Sequence, residues 1–197
     1  FNYLSYLIPS ILGMSLMQGG VFAAIPLVAD REKLILKRLG ATPLRRWQLV
    51  GSNVLVRLLV AFLQTLIIVG VGTALFGLET TGRWVATGFF IILGSLTFIS
   101  IGYVIASFTS TEEAANGVTQ VVQLPMLFLS GIFFPIATMG DVLQTVAKFL
   151  PLTYLGDALR QVMVDGTPFA PLATCAMVLA GWLVVCFGIS ARFFKWQ

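Results

Sequence analysis

Five stretches of this chain are long enough to cross a lipid bilayer and almost free of charge: residues 3–29, 58–78, 84–108, 114–134 and 169–191. A helix rises 1.5 Å per residue, so about 20 mostly apolar residues cross a hydrocarbon core of about 30 Å. Both faces of these stretches are apolar. Length and absence of charge therefore carry the assignment, and periodicity cannot orient the helices. A water-soluble domain is excluded, because 58% of the residues are hydrophobic and only 10% are charged, against about 25% charged in ordinary soluble domains. The expected fold is all-α, a polytopic transmembrane helix bundle. No internal repeat or flexible linker divides residues 1–197.

Basic residues orient the spans. With five crossings, Arg31, Lys33, Lys37, Arg38, Arg45, Arg46, Arg57, Arg192 and Lys195 fall on one side, nine in all, and Arg83, Lys148 and Arg160 on the other. The richer side is expected in the cytoplasm, with Phe1 starting outside. A chain that starts outside without a signal sequence implies at least one further helix before Phe1. Cys175 and Cys186 are 11 residues apart on one apolar run, about 16 Å along a helix and too far for a disulfide. They read as small packing residues.

The connectors carry the functional information. Residues 31–39 form a short amphipathic pattern, with Ile35, Leu36 and Leu39 on one arc and Arg31, Lys33, Lys37 and Arg38 opposite. Gly40 is placed to end that helix. Thr42 and Pro43 then suit the N-cap and first position of the next, which should run on through residues 50–78. A basic anchor on anionic lipid explains the charge but needs no such elbow, so a docking element for a cytoplasmic partner is favoured. Ser110 and Glu113 have capping-box spacing at the start of the fourth span. Residues 141–163 hold two short helical patterns separated by Pro151, too short to span. They are expected as surface helices on the outer side, a re-entrant pair, or a lid over a path, with Asp157, Arg160 and Gln161 on their polar faces.

Polar stripes run along the apolar helices. Arg46, Asn53, Arg57 and Gln64 share an arc on the second span, and Asn116, Gln120, Gln123 and Ser130 on the fourth. Ser10, Ser15 and Gln18 mark the first. Such side chains face protein or water, not lipid tails. A whole stripe fits a cavity wall or a subunit seam better than isolated interhelical bonds. The pairs Ser15/Gly19, Gly20/Ala24 and Gly102/Ala106 allow close helix approach. The chain has no histidine, which removes Ser-His and Cys-His catalysis and the commonest metal ligand. No lysine is followed by Ser or Thr, so there is no P-loop. No catalytic residue, metal site or cofactor is assigned, and nothing points to nucleic acid. If ATP drives this protein, another polypeptide binds it.

The stretch VADREKLILKRLGATPLRRWQLVGSNVLVRLL, residues 28–59, resembles the segment after the second membrane helix of ABC-2 type permeases. LPMLFLSGIFFPIATMGDVLQTVAKFLPLTYLGDALRQVM, residues 124–163, resembles their fifth helix, outer re-entrant helices and turn. The family often has Gly-Thr where this chain has Leu34-Ile35. The resemblance covers essentially the whole chain and is closest to bacterial drug-efflux permeases, with polysaccharide and lipid exporters as neighbours. It implies a six-helix fold of which the five spans are the second to sixth. It implies a second permease subunit, as homo- or heterodimer in the bacterial plasma membrane, and a nucleotide-binding ATPase subunit. Residues 30–39 become the coupling helix, with Asp30, Arg31, Glu32, Lys33 and Arg38 as ATPase contacts. Gln18, Phe22, Gln120 and Gln123 become path residues, and Pro135 and Pro151 bound an outer gate. A non-transporting membrane scaffold is the rival reading from the residues alone.

Overall fold

In a computed structural model the protein is described at residues 3–34, 46–77, 81–133, 136, 140–164 and 168–193. The apolar runs form α1 (Tyr3–Val21) and α2 (Ala24–Glu32), α3 (Arg46–Phe76), α4 (Trp84–Phe108), α5 (Glu112–Leu129) and α8 (Leu172–Phe193), with the short α6 (Asp141–Ala147) and α7 (Pro151–Val164) between the last two. The first span is not one continuous helix. It breaks at Phe22 and Ala23 because Pro26, without an N–H and with a ring that crowds the carbonyl four residues back, cannot bond to Phe22. Ile25 N–H instead reaches the Phe22 carbonyl at 3.3 Å.

Among the described residues four segments are long and apolar enough to cross a membrane: Tyr6–Glu32, Val50–Leu75, Trp84–Phe108 and Leu172–Phe193. The expected span at 114–134 differs. Its helix, α5, has 18 residues, begins with Glu112 and Glu113 and carries Asn116, Thr119, Gln120 and Gln123, so its apolar character is diluted by the stripe itself. Its N-cap is Thr111, whose side chain accepts from Ala114 N–H at 3.2 Å. The cap lies one residue beyond the expected Ser110.

α4 is the axis of the bundle, packed by α1, α2, α3, α5, α7 and α8. Gly20 and Gly102 make the α1–α4 crossing close, for a Cβ on Gly102 would lie 2.7 Å from the Gly20 carbonyl oxygen. α8 turns one stripe, Cys175, Leu179, Cys186 and Ser190, inward, and Thr97 Oγ1 of α4 donates to the Leu179 carbonyl at 3.1 Å. Both cysteines are buried and free.

α7 is not a surface cover. Its first ten residues are all buried, Asp157 and Arg160 among them. Leu155 packs on Gly94 and Gly156 on Gly13, positions about 15 Å along α4 and α1 from their starts. The helix therefore dips between the spans to roughly half the depth of a bilayer core. Of the alternatives open from the sequence, the re-entrant one matches this placement. Pro151 opens α7 as its first residue, where its missing N–H costs nothing. Pro135 lies outside the described residues.

Candidate functional site

Three polar constructions stand out in the apolar bundle. The first is at the elbow after α2. α2 ends at Glu32, so Asp30, Arg31 and Glu32 close the first span instead of opening a separate helix. Residues 35–45, including Arg38, lie outside the described residues, and with them the second half of the expected coupling helix. Arg31 donates to the carbonyls of Ala106, at 3.0 Å, and Thr109, satisfying the end of α4. The Glu32 carboxylate accepts from the Glu112 N–H at 2.8 Å, at the N-terminus of α5 where a negative charge is favoured. Lys33 pairs with Glu112 at 3.8 Å, an exposed contact worth little by itself. The elbow is thus fastened to the α4–α5 turn by its charged residues.

Leu34 completes that elbow with φ of +57°, a left-handed conformation that costs a side-chain-bearing residue roughly 1–2 kcal/mol. This is the position where the resembling family often carries glycine. Leu34→Gly is therefore expected to stabilise the protein by about 1 kcal/mol, read as a raised midpoint of thermal unfolding in detergent. An unchanged or lowered midpoint would refute the strain.

The second construction lies at the opposite end. Arg160 of α7 is buried, with its guanidinium 4.6 Å from the centre of the Tyr6 ring. It donates to Ser10 Oγ at 3.2 Å and to the Gly131 carbonyl at 3.3 Å, which also accepts from the Tyr6 hydroxyl. One side chain thereby joins α7, α1 and the end of α5. Asp157, one turn earlier and 1% exposed, accepts from the backbone N–H groups of Phe169 and Ala170 and from Gln161, each with a contact at 3.0 Å or shorter. It fixes the turn into α8. Tyr154 donates to the Lys148 carbonyl at 2.8 Å; burial, and secondarily Cys175, raise its pKa above the ordinary phenol value. The sequence reading placed Asp157 and Arg160 on the polar face of a short outer helix, without partners for either. The available signal was the small pair Gly13 and Gly156, which lets α7 sink beside α1.

The third construction is a cleft of about 240 Å³ between α1, α3 and α4. It takes in the second-span stripe, Asn53, Arg57 and Gln64, and the Ser15/Gly19 pair of α1.

The path residues inferred from resemblance are not gathered in that cleft. Gln18 and Phe22 are half-buried on α1 and at its break, and Gln120 is exposed on α5. Gln123 is buried, with an Oε1 that has no hydrogen-bond partner among the described residues. Asn116 and Gln120 lie on a face of α5 that no described element covers.

Comparison with known proteins fits this architecture. A family model described as ABC-2 family transporter protein matches residues 1–192. Over 162 residues the chain is 25% identical to the Escherichia coli (strain K12) protein named "Probable multidrug ABC transporter permease YbhR", covering 82% of this chain and 44% of that one. It is 25% identical over 185 residues to "Probable doxorubicin resistance ABC transporter permease protein DrrC" of Mycobacterium tuberculosis (strain CDC 1551 / Oshkosh), covering 91% of this chain and 66% of that one. With Nodulation protein J of Rhizobium leguminosarum bv. trifolii it shares 31% identity over 105 residues, 53% of this chain and 40% of that one. The chain spans less than two thirds of the length of each of these relatives. With its several membrane-crossing helices and a family match over nearly all its residues, the chain belongs to the ABC-2 family of transporter proteins, as a multi-pass membrane domain of the permease type.

Proposed function

We propose that this chain is the membrane-spanning part of an ATP-driven exporter that moves drug-like or other amphiphilic compounds out of a bacterial cell across its plasma membrane. A separate nucleotide-binding subunit hydrolyses ATP and docks at the elbow, and a second permease subunit pairs with this one. The observation that carries the reading is the amide stripe of α5. Asn116 and Gln120 are exposed on a helix that packs against α1, α2 and α4 on its other side. Amides at membrane depth do not face lipid tails, so that face belongs to a water-accessible path or to a seam with the second subunit. The relatives' names, multidrug and doxorubicin resistance permeases, support an amphiphilic cargo.

The elbow supplies the linkage. Asp30, Arg31, Glu32, Lys33 and Arg38 remain the proposed docking surface. Glu32 and Arg31 also hold the base of α5 and the end of α4, so displacement of the elbow tilts the helix that bears the stripe. Pro135 and Pro151 remain the proposed bounds of an outer gate, with Arg160 as the contact that keeps α7 against α1 and α5.

The path assignment is tested with the full-length protein and its ATPase in inside-out vesicles. Cys175 and Cys186 are replaced by alanine and Gln120 by cysteine. Modification of Gln120→Cys with a bulky thiol reagent is expected to reduce ATP-dependent doxorubicin uptake to background. Undiminished uptake after complete modification would remove α5 from the path.

A further inference from the structure

The second-span stripe has no role in the reading above, yet it is the most strongly polar feature inside the span. Arg57 lies seven residues beyond Val50, where the apolar segment starts, about 10 Å along the helix. Its Nε donates to Asn53 Oδ1 at 3.1 Å and its Nη1 to the Gly19 carbonyl at 2.8 Å. Among the described residues no carboxylate pairs with it. A guanidinium carries five N–H donors in a planar fork, so donors remain for a ligand.

The groups around it suit an anion with a tail. Gln64 lines the same cleft and makes no hydrogen bond among the described residues, and buried Ser95 beside it has an Oγ with no partner there. Gly19 leaves open space at the wall: a Cβ there would meet nothing within 4 Å. The rim is apolar, formed by Val56 and Val60, both more than half exposed on α3. At about 240 Å³ the cleft is smaller than the roughly 300–1,000 Å³ of sites for whole drug-sized molecules. A head group fits inside while its chains lie along the apolar flank of α3, where Leu59 and Leu63 are also exposed. A planar cation matches phosphate by paired N–H···O bonds.

We infer that the cleft between α1, α3 and α4 is a binding site for the phosphate head group of an anionic amphiphile, held by Arg57 and oriented by Asn53 and Gln64. The site is separate from the α5 stripe and does not depend on what the permease carries.

The full-length protein is examined in detergent by native mass spectrometry, titrated with phosphatidylglycerol, with phosphatidylcholine of the same chains, and with glycerol phosphate. Phosphatidylglycerol is expected to be retained in preference to phosphatidylcholine, with about tenfold weaker retention in Arg57→Gln. Gly19→Phe leaves the charge in place and fills the cleft, and it is expected to lose the same preference. That variant decides the matter if Arg57→Gln fails to fold. Arg57-dependent binding of glycerol phosphate without the lipid preference would keep the phosphate site and assign it a water-borne source. Equal retention of the two lipids without glycerol phosphate binding, or phosphatidylglycerol binding unchanged in both variants, would overturn the inference.

Discussion

Gly20→Val is expected to destabilise the bundle by more than about 3 kcal/mol, at or beyond the upper end of overpacking costs, while Gly19→Ala, one position earlier, leaves stability nearly unchanged. A Cβ on Gly20 would sit 2.4 Å from Phe98 Cβ and 2.9 Å from the Ile99 backbone nitrogen, with no room on the other side of the crossing, where Gly102 meets the Gly20 and Val21 carbonyls. The first obstacle is Cβ and backbone of a fully buried residue and cannot swing away as a flexible side-chain end would. α1 and α4 must separate instead. Because α4 is the axis against which most elements pack, the loss is shared by the whole bundle. At Gly19 the same added atom meets nothing within 4 Å. Thermal unfolding of the full-length protein in detergent reads the contrast. Similar midpoints for Gly20→Val and the parent would contradict the close crossing.

Asp157→Ala is the second large effect. The carboxylate is buried, and its removal strands the backbone N–H groups of Phe169 and Ala170. Gln161 retains its bond to the Ala170 carbonyl at 2.7 Å, so the orphaned groups are chiefly those two donors. Phe169 is exposed and Ala170 half-buried, so water replaces part of each lost bond and each donor costs about 1 kcal/mol, the low end for an unpaired group, while the turn that aims α8 at α4 loses its fixing point. The expected total is about 2 kcal/mol, with Asp157→Asn between the two because it keeps one acceptor oxygen. The ordering of the three unfolding midpoints checks this. A variant Asp157→Ala as stable as the parent would show that α8 is positioned without this carboxylate.

The membrane architecture was legible because its cause is simple: apolar length. The stripes on α3 and α5 were legible for a related reason, since residues three, four and seven apart return to nearly the same face of a helix. Their partners were not. Nothing in Asn53, Arg57 and Gln64 tells which neighbour supplies the opposite wall; that depends on the α1 backbone at Gly19, set by tertiary packing. The break at Phe22 was announced locally by Pro26, but apolar continuity masked it. The burial of Asp157 and Arg160 was hidden for the opposite reason. A polar face at helical spacing reads as solvated, and only the depth of α7, fixed by Gly13, Gly94 and Gly156, turns it inward. The charged run at the elbow was singled out as a docking surface, and Arg31 and Glu32 bond within the chain, across 75 to 80 residues of sequence. Separation of that length is beyond any local pattern.

The most direct test of the central claim uses the full-length permease, reconstituted with its nucleotide-binding subunit in inside-out liposomes, and measures doxorubicin accumulation with and without ATP. The account predicts accumulation that requires both subunits and ATP, and that falls in Glu32→Ala while ATP hydrolysis and membrane insertion persist. Accumulation independent of the permease or of ATP, or full transport by Glu32→Ala, would contradict it.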